Sequence, residues 1–213
     1  MYDIDKKIIF THPHKCGGTS IEDMLGLLKL RKQHPSITSL KHASIEEHLK
    51  VLTSAGANTD EFFKFSIIRN PWDRSVSFYN HVKYKEYSYH IDRLQSKELP
   101  KYIEDARRMT FKEFVLQYYK KTFHSERRTI PFMCVNDEFC LDYVIKIENI
   151  KEDLYNIKDR LQIDLSENLP HLNDSSLFVD KKHYSEYYDN ETKNIVTDLF
   201  EWDIKRFNYK FEQ

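Results

Sequence analysis

Residues 8–22 read IIFTHPHKCGGTSIE and contain three local patterns in succession. Residues 7–11 are a short apolar, β-branched run, which is typical of a buried strand. Residues 13–18 have the composition of a turn and include one lysine and two glycines. Residues 19–30 carry apolar side chains at the spacing of one helix face. A strand, a glycine-containing turn and a helix in this order favour phosphate binding, because glycines admit an anion close to backbone N–H groups and a helix start carries partial positive charge.

The turn and the start of the following helix carry side chains that can bind an anion. Lys15 offers a full positive charge, and Thr19 and Ser20 offer hydroxyl donors. The order differs from the P-loop of nucleotide kinases, in which glycine and lysine stand directly before a serine or threonine. In this chain Lys15 precedes the glycine pair, Gly17 and Gly18. The turn therefore predicts a phosphate site, and it leaves open a kinase-like phosphotransferase or a non-catalytic nucleotide-binding domain.

Composition and charge restrict the class of protein. The chain has 213 residues, which suggests one α/β domain over residues 1–213 or such a domain with an appended helical piece. Its 33 Lys and Arg residues against 34 Asp and Glu residues give a net charge of −1, so a general attraction to nucleic acid is not expected. Because there is no run of the ~20 apolar residues that cross a bilayer and no signal-peptide pattern after Met1, we expect a cytoplasmic protein without an integral membrane segment.

The cysteines Cys16, Cys134 and Cys140 lack the spacing of metal ligands. Reduced thiols are expected in a cytoplasmic chain. A disulfide between Cys134 and Cys140 stays open as the alternative.

Two further strands are predicted over residues 62–68 and 141–147, which are apolar and rich in β-branched and aromatic residues. Arg69 ends the first of them, and Pro71 favours a helix directly afterwards. Helices separate the three strands, which is typical of an α/β fold with a central parallel sheet. Ligands of such sheets lie beyond the carboxyl ends of the strands. Lys15 and Arg69, which follow neighbouring strands, are therefore expected at one crevice.

Capping patterns predict where helices begin. Ser44 and Glu47 have the spacing of a capping box, so a helix is expected to start at Ser44. Asn149 is expected to cap a helix over residues 150–161. The last helix is predicted over residues 190–202, where apolar side chains again recur on one face.

Several segments resemble the sulfotransferases that use 3′-phosphoadenosine 5′-phosphosulfate (PAPS). Residues 9–21 are similar to the loop of that family that binds the 5′-phosphosulfate, and residues 68–79, IRNPWDRSVSFY, look like its 3′-phosphate motif. Residues 142–150, 169–173 and 203–209 are similar to later family segments. The likeness is to carbohydrate sulfotransferases of the heparan sulfate 2-O- and chondroitin type, including bacterial members. It implies a three-layer α/β fold with a central parallel sheet and a P-loop-like phosphosulfate-binding turn.

The resemblance also implies a reaction and a donor. In this family a sulfuryl group passes from PAPS to an acceptor hydroxyl, here expected on a saccharide, and no metal is required. Lys15 would stabilise the charge on the bridging oxygen as the bond to sulfur breaks. Acceptor contacts are expected from residues 85–130, which lie outside the likeness. The other donor-binding residues implied are those for the 5′-phosphate, Cys16, Gly17, Gly18, Thr19 and Ser20, and those for the 3′-phosphate, Arg69 and Ser77.

A histidine is expected to act as the general base, because its unperturbed pKa suits proton transfer near neutral pH. His42 is preferred, since it lies in a predicted loop and resembles a family position at which a histidine acts. His12 and His14, which lie close to Lys15 in the sequence, stay open as alternatives. Glu22 is expected only to complement the start of its helix.

Two positions depart from the family pattern. His14 stands where the family usually has a proline, and Lys146 stands where it often has an arginine. Neither change removes a donor to phosphate, but the absence of the proline permits a different backbone path through the loop.

Overall fold

The computed structural model describes residues 1–27, 42–84, 101–119, 129–165 and 182–212. Two compact units make up the chain, the first comprising Met1–Arg69 with Arg127–Asn173 and the second comprising Asn70–Glu126 with Asp174–Gln213. The expectation of a single functional domain over residues 1–213 stays a prediction. Among the described residues, no helix is both long enough and apolar enough to cross a membrane.

The first unit is built on a sheet. Its strands in the described part of the chain are β1 (Tyr2–Asp3), β2 (Ile8–Thr11), β3 (Phe63–Ile68), β4 (Cys134–Val135), β5 (Glu138–Phe139) and β6 (Tyr143–Lys146). The sheet has the order β1-β2-β3-β6, in which β2, β3 and β6 are parallel and β1 is antiparallel to β2. The predicted α/β fold with a central, mostly parallel sheet is confirmed, and each of the three predicted strands lies inside its expected range.

The register brings the carboxyl ends of the parallel strands to one edge of the sheet. Thr11, the last residue of β2, pairs with Ser66 of β3. Ile68, the last residue of β3, pairs with Lys146, the last residue of β6. Two side-chain hydrogen bonds stabilise this edge. Ser66 Oγ donates to the carbonyl of Thr11 at 2.8 Å, and Thr11 Oγ1 donates to the carbonyl of Phe132 at 2.7 Å. The segments that follow β2 and β3 therefore leave the sheet side by side.

Helices pack their apolar side chains against the sheet to complete the core. A buried cluster in the first unit joins side chains of the first helix and of the helix after β6 to strand residues, among them Phe10, Phe65 and Ile145. The described helices are α1 (Gly18–Met24), α2 (Ile45–Ser54), α3 (Pro71–Tyr84), α4 (Lys101–Arg108), α5 (Phe111–Phe114), α6 (Ile130–Met133), α7 (Ile150–Leu161), α8 (Asn190–Leu199) and α9 (Glu201–Phe207).

The start of α2 agrees with its prediction. Glu47 N–H donates to Ser44 Oγ at 3.1 Å, and Ser44 N–H donates to Glu47 Oε2 at 2.7 Å, which is the expected capping box. The predicted cap of α7 is wrong, because the Asn149 side chain makes no capping hydrogen bond. Asn149 ends a turn of 3₁₀ helix, so its backbone is not in the extended conformation that a capping residue adopts.

Two helix ends differ from the sequence prediction. α1 ends at Met24, because Gly26 has a φ of 72° and a left-handed residue at this place stops a helix. The part of its predicted range beyond residue 27 lies outside the described residues. The predicted helix over residues 190–202 is divided into α8 and α9 at Phe200, whose φ of −112° breaks the helical path while its ring is buried.

A short hairpin, β4 and β5, was not predicted. Its loop consists of Asn136 and Asp137, which both have positive φ values, 50° and 63°. This is the geometry of a type I′ turn, for which asparagine and aspartate are favoured. The Asn-Asp dipeptide was thus a usable signal. No disulfide joins Cys134 to Cys140 within the described residues.

The second unit has an aromatic core, in which rings of α3 and α5 lie against Phe200 and neighbouring tyrosines. Asn70 sets the start of α3, because its Oδ1 accepts from the N–H of Trp72 at 3.1 Å and from that of Asp73 at 3.4 Å. Its amide nitrogen donates to the carbonyl of Lys210 at 3.3 Å. The Asn-Pro-Trp part of the 68–79 segment is thus a helix start.

Candidate active site at the carboxyl end of the sheet

The turn between β2 and α1 has an unusual backbone. Lys15 (φ 66°) and Gly17 (φ 80°) adopt the left-handed conformation. A non-glycine residue in this region is uncommon and is held there by its surroundings. Backbone concavities that bind anions are built with residues of this conformation, because it turns successive N–H groups to one side. The turn therefore has a backbone suited to a phosphate group.

The second glycine of the turn is required by a close approach. A Cβ atom added to Gly18 would lie 2.0 Å from Nδ1 and 2.4 Å from Cβ of His12. His12 is 3 % exposed, so its ring has little room to move away. Any larger residue at position 18 would therefore displace either the loop or the His12 side chain.

Arg69 reaches the loop from the neighbouring strand. Its Nη1 donates to the carbonyl of Lys15 at 3.4 Å. Both residues are partly exposed. The guanidinium of Arg69 and the backbone of Lys15 thus meet at the edge where the neighbouring strands β2 and β3 end. Lys146, at the end of β6, has its backbone N–H bonded to Asp153 Oδ2 at 2.7 Å.

The ring of His42 lies against those of the two other histidines proposed from the sequence. The ring of His42 lies 3.7 Å from that of His14 and 4.5 Å from that of His12, measured between centroids. His42 Nδ1 is 3.1 Å from the carbonyl oxygen of His12. Because a carbonyl oxygen only accepts, His42 donates through Nδ1, and Nε2 is the nitrogen that takes up a proton. The capping box of α2 begins two residues later, at Ser44, which fixes the chain behind this ring.

Glu22 has a different role from the one expected. It lies beyond the first turn of α1, and its carboxylate is 3.3 Å from His12 Nδ1. The exposed fraction of the side chain is 0 % for Glu22 and 2 % for His12. It therefore pairs with a buried ring and does not complement the helix start in solvent. The sequence contained a signal for this, because Glu22 stands three residues before the buried Leu25 and hence on the apolar face of the helix.

The remaining predicted donor-binding residues differ in accessibility. The Cys16 side chain is buried and its Sγ is 3.7 Å from the carbonyl of His14, so a contribution to a ligand would come from its backbone N–H. Ser20 is also buried, whereas Thr19 is partly exposed. Ser77 belongs to the second unit, where it is buried on α3. In the ranges that the structure describes, no group of three or more His, Cys, Asp and Glu side chains is arranged to hold a metal ion.

Comparison with models of protein families gives one finding that extends over almost the whole chain. Residues 1–210 match the model described as the sulfotransferase family. The match includes the loop after β2, Arg69 and the segment around β6. A search of curated proteins found no match.

The contact between Gly18 and His12 predicts a cost in stability. We expect Gly18→Ala to lower the free energy of unfolding by about 1–3 kcal/mol, the usual effect of overpacking a buried site. Urea unfolding followed by tryptophan fluorescence measures this change. Ser54→Ala, at the exposed end of α2, is the control and should change stability by less than about 0.5 kcal/mol. Equal stability of the two variants would mean that the His12 ring does not confine the loop.

Proposed function

The chain belongs to the sulfotransferase family, and we propose that it transfers the sulfuryl group of PAPS to a hydroxyl group of a saccharide. The observation that carries the proposal is the hydrogen bond from Arg69 to the carbonyl of Lys15. It gathers cationic residues from two neighbouring parallel strands beside a glycine turn. Such a site suits a donor that carries phosphate groups at two separate positions.

Lys15 is proposed to assist the departure of the nucleotide. In the transfer, the acceptor oxygen forms a bond to sulfur while the bond from sulfur to the bridging oxygen breaks. The electron pair of that bond stays on the bridging oxygen, which becomes part of the 5′-phosphate of the leaving adenosine bisphosphate. A cation at this oxygen lowers the barrier, because the negative charge grows as the transition state forms.

The backbone of the loop is proposed to hold the 5′-phosphate. Residues 16–19 are proposed to offer their N–H groups beside the left-handed Lys15 and Gly17. Thr19, which is partly exposed, adds a hydroxyl donor, and the buried Cys16 contributes through its backbone N–H. The N–H of Ser20 already donates to the carbonyl of Gly17 at 3.1 Å, so Ser20 is proposed to contribute through its hydroxyl group.

Arg69 is proposed to bind the 3′-phosphate, with Ser77 as a second ligand. A guanidinium group forms two parallel charged hydrogen bonds with a phosphate and is always protonated. A guanidinium group has five N–H donors in a fixed plane, so it can contact the loop carbonyl and a phosphate through different donors. The role of Ser77 comes from the family resemblance of the 68–79 segment.

His42 is proposed as the general base. The proton of the acceptor hydroxyl would pass to Nε2, since Nδ1 already donates to the carbonyl of His12. His12 is too deeply buried to contact an acceptor. His48 of α2 is also buried, and burial lowers its pKa to about 2, which makes it too weak a base at neutral pH. His14, partly exposed and stacked on His42, is the alternative.

Two assays test the donor and the acceptor. Titration of the protein with 3′,5′-adenosine bisphosphate and with ATP should show tighter binding of the bisphosphate, whereas tighter binding of ATP would favour a phosphotransferase. Incubation with ³⁵S-labelled PAPS and a panel of saccharides and phenols should label saccharides. Label on phenols alone would reject the saccharide, and bisphosphate binding without any transfer would indicate a non-catalytic domain.

The role of Lys15 predicts a loss of turnover without a loss of structure. Lys15→Ala should lower kcat by at least about a hundredfold, the usual effect of removing a group that stabilises transition-state charge. Circular dichroism and urea unfolding should show a folded protein. Lys50→Ala removes an exposed lysine of α2 and should retain wild-type turnover. Similar kcat values for the two variants would exclude Lys15 from the reaction.

The role of Arg69 predicts a loss of donor affinity. Arg69→Ala should weaken binding of 3′,5′-adenosine bisphosphate by about tenfold to a hundredfold, because a charge-assisted hydrogen bond contributes roughly 1.5–3 kcal/mol. Isothermal titration calorimetry gives the affinity. Arg160→Ala, an exposed arginine of α7, serves as the matched control. An unchanged dissociation constant in Arg69→Ala would place the 3′-phosphate elsewhere.

A further inference from the structure

We infer that the buried pair of His12 and Glu22 positions the general base beside the donor loop, which is the turn between β2 and α1. The inference rests on the proposed function for the identity of that base, His42. Neither His12 nor Glu22 would touch a reacting atom. Their effect would pass through the backbone and ring of His12, which contact the loop on one side and His42 on the other.

The pair itself is the first step. Glu22 and His12 lie 3.3 Å apart, and their side chains are almost fully removed from solvent. Transfer of a carboxylate into the protein interior costs several kcal/mol unless a partner compensates it. An apolar residue would fill this place on α1 at lower cost. The presence of a carboxylate against the His12 ring therefore points to a requirement for holding that ring.

The second step links His12 to the donor loop. The His12 side chain lies over the α-carbon of Gly18, so closely that a Cβ atom there would be 2.0 Å from Nδ1. Phe10 packs against another side of the His12 ring in an edge-to-face contact, with 5.7 Å between the ring centroids. Because the ring is confined by Glu22, Phe10 and the glycine, its position and that of the loop backbone are set together.

The third step links His12 to the base. The carbonyl of His12 accepts the Nδ1 hydrogen of His42 at 3.1 Å, and the two rings lie 4.5 Å apart. A base that donates one ring hydrogen to a fixed acceptor presents its other nitrogen in one orientation and one tautomer. Because the His12 ring is confined, we expect its displacement to move the backbone that carries this carbonyl, and His42 would then lose its fixed orientation and tautomer. His12 thus connects the site of the leaving group to the site of proton removal.

Glu22→Gln is the variant that tests this inference. Glutamine has nearly the same shape as glutamate but lacks its charge, so the ring of His12 loses its anionic partner while the helix is kept. Asp23→Asn makes the same chemical change at the next, exposed position of α1 and is the matched control. Glu22→Ala is the stronger variant, to be used if it folds.

Three measurements are needed on each protein. We expect Glu22→Gln to lower kcat by about tenfold to a hundredfold, the scale of a misplacement of about 1 Å. The affinity for 3′,5′-adenosine bisphosphate should change less than about threefold, because Lys15 and Arg69 are intact. Long-range ¹H–¹⁵N spectra of the His42 ring should change from a single form with hydrogen on Nδ1 to a mixture of tautomers. Asp23→Asn should resemble the wild type in all three measurements.

The spectra separate this inference from the proposed function. If the wild-type protein transfers no sulfuryl group but Glu22→Gln alters the His42 tautomer, the proposed function is wrong and the positioning pair is retained. If turnover is present and Glu22→Gln leaves both kcat and the tautomer unchanged, the pair is structural and the inference is wrong. A wild-type His42 that carries its hydrogen on Nε2 would overturn the inference without any variant.

Discussion

The parallel pairing of β2 with β3 is the constraint on which the candidate site depends. Thr11 lies opposite Ser66, so the two strands end at the same edge, and Lys15 and Arg69 follow them into the same space. A shift of this register would separate the guanidinium from the loop that it now contacts. Buried hydroxyl groups secure the pairing, because Ser66 and Thr11 both donate to backbone carbonyls at this edge.

Beneath the loop, the protein keeps polar side chains where an apolar core would be simpler. Thr11, His12, Glu22 and Ser66 are all buried. Such groups reduce stability unless they are paired, and proteins retain them mainly where a position has to be specified. The arrangement separates two tasks. The buried residues hold the backbone in place, whereas the partly exposed Lys15, Arg69 and His42 are presented at its surface.

Agreement between the sequence prediction and the structure was closest where neighbouring residues carry the information. The apolar runs of β2, β3 and β6, and the capping box at Ser44, were recognised because strand and cap patterns extend over only a few residues. Elements of two residues, such as β1 and the strands of the hairpin, are too short to show a periodicity. The end of α1 was missed although Gly26 offered a signal, since an isolated glycine inside an apolar pattern is compatible with a continued helix.

Residue types and their spacing were sufficient to establish the α/β class. They also predicted that Lys15 and Arg69 follow neighbouring strands to one edge of the sheet, because ligands of parallel sheets lie beyond the carboxyl ends of the strands. The pairing of Glu22 with His12, and the approach of three histidine rings to one another, could not be obtained in this way. Both arrangements depend on which surfaces the folded chain buries. The same glutamate on a solvent-exposed helix face would be an ordinary solvated charge.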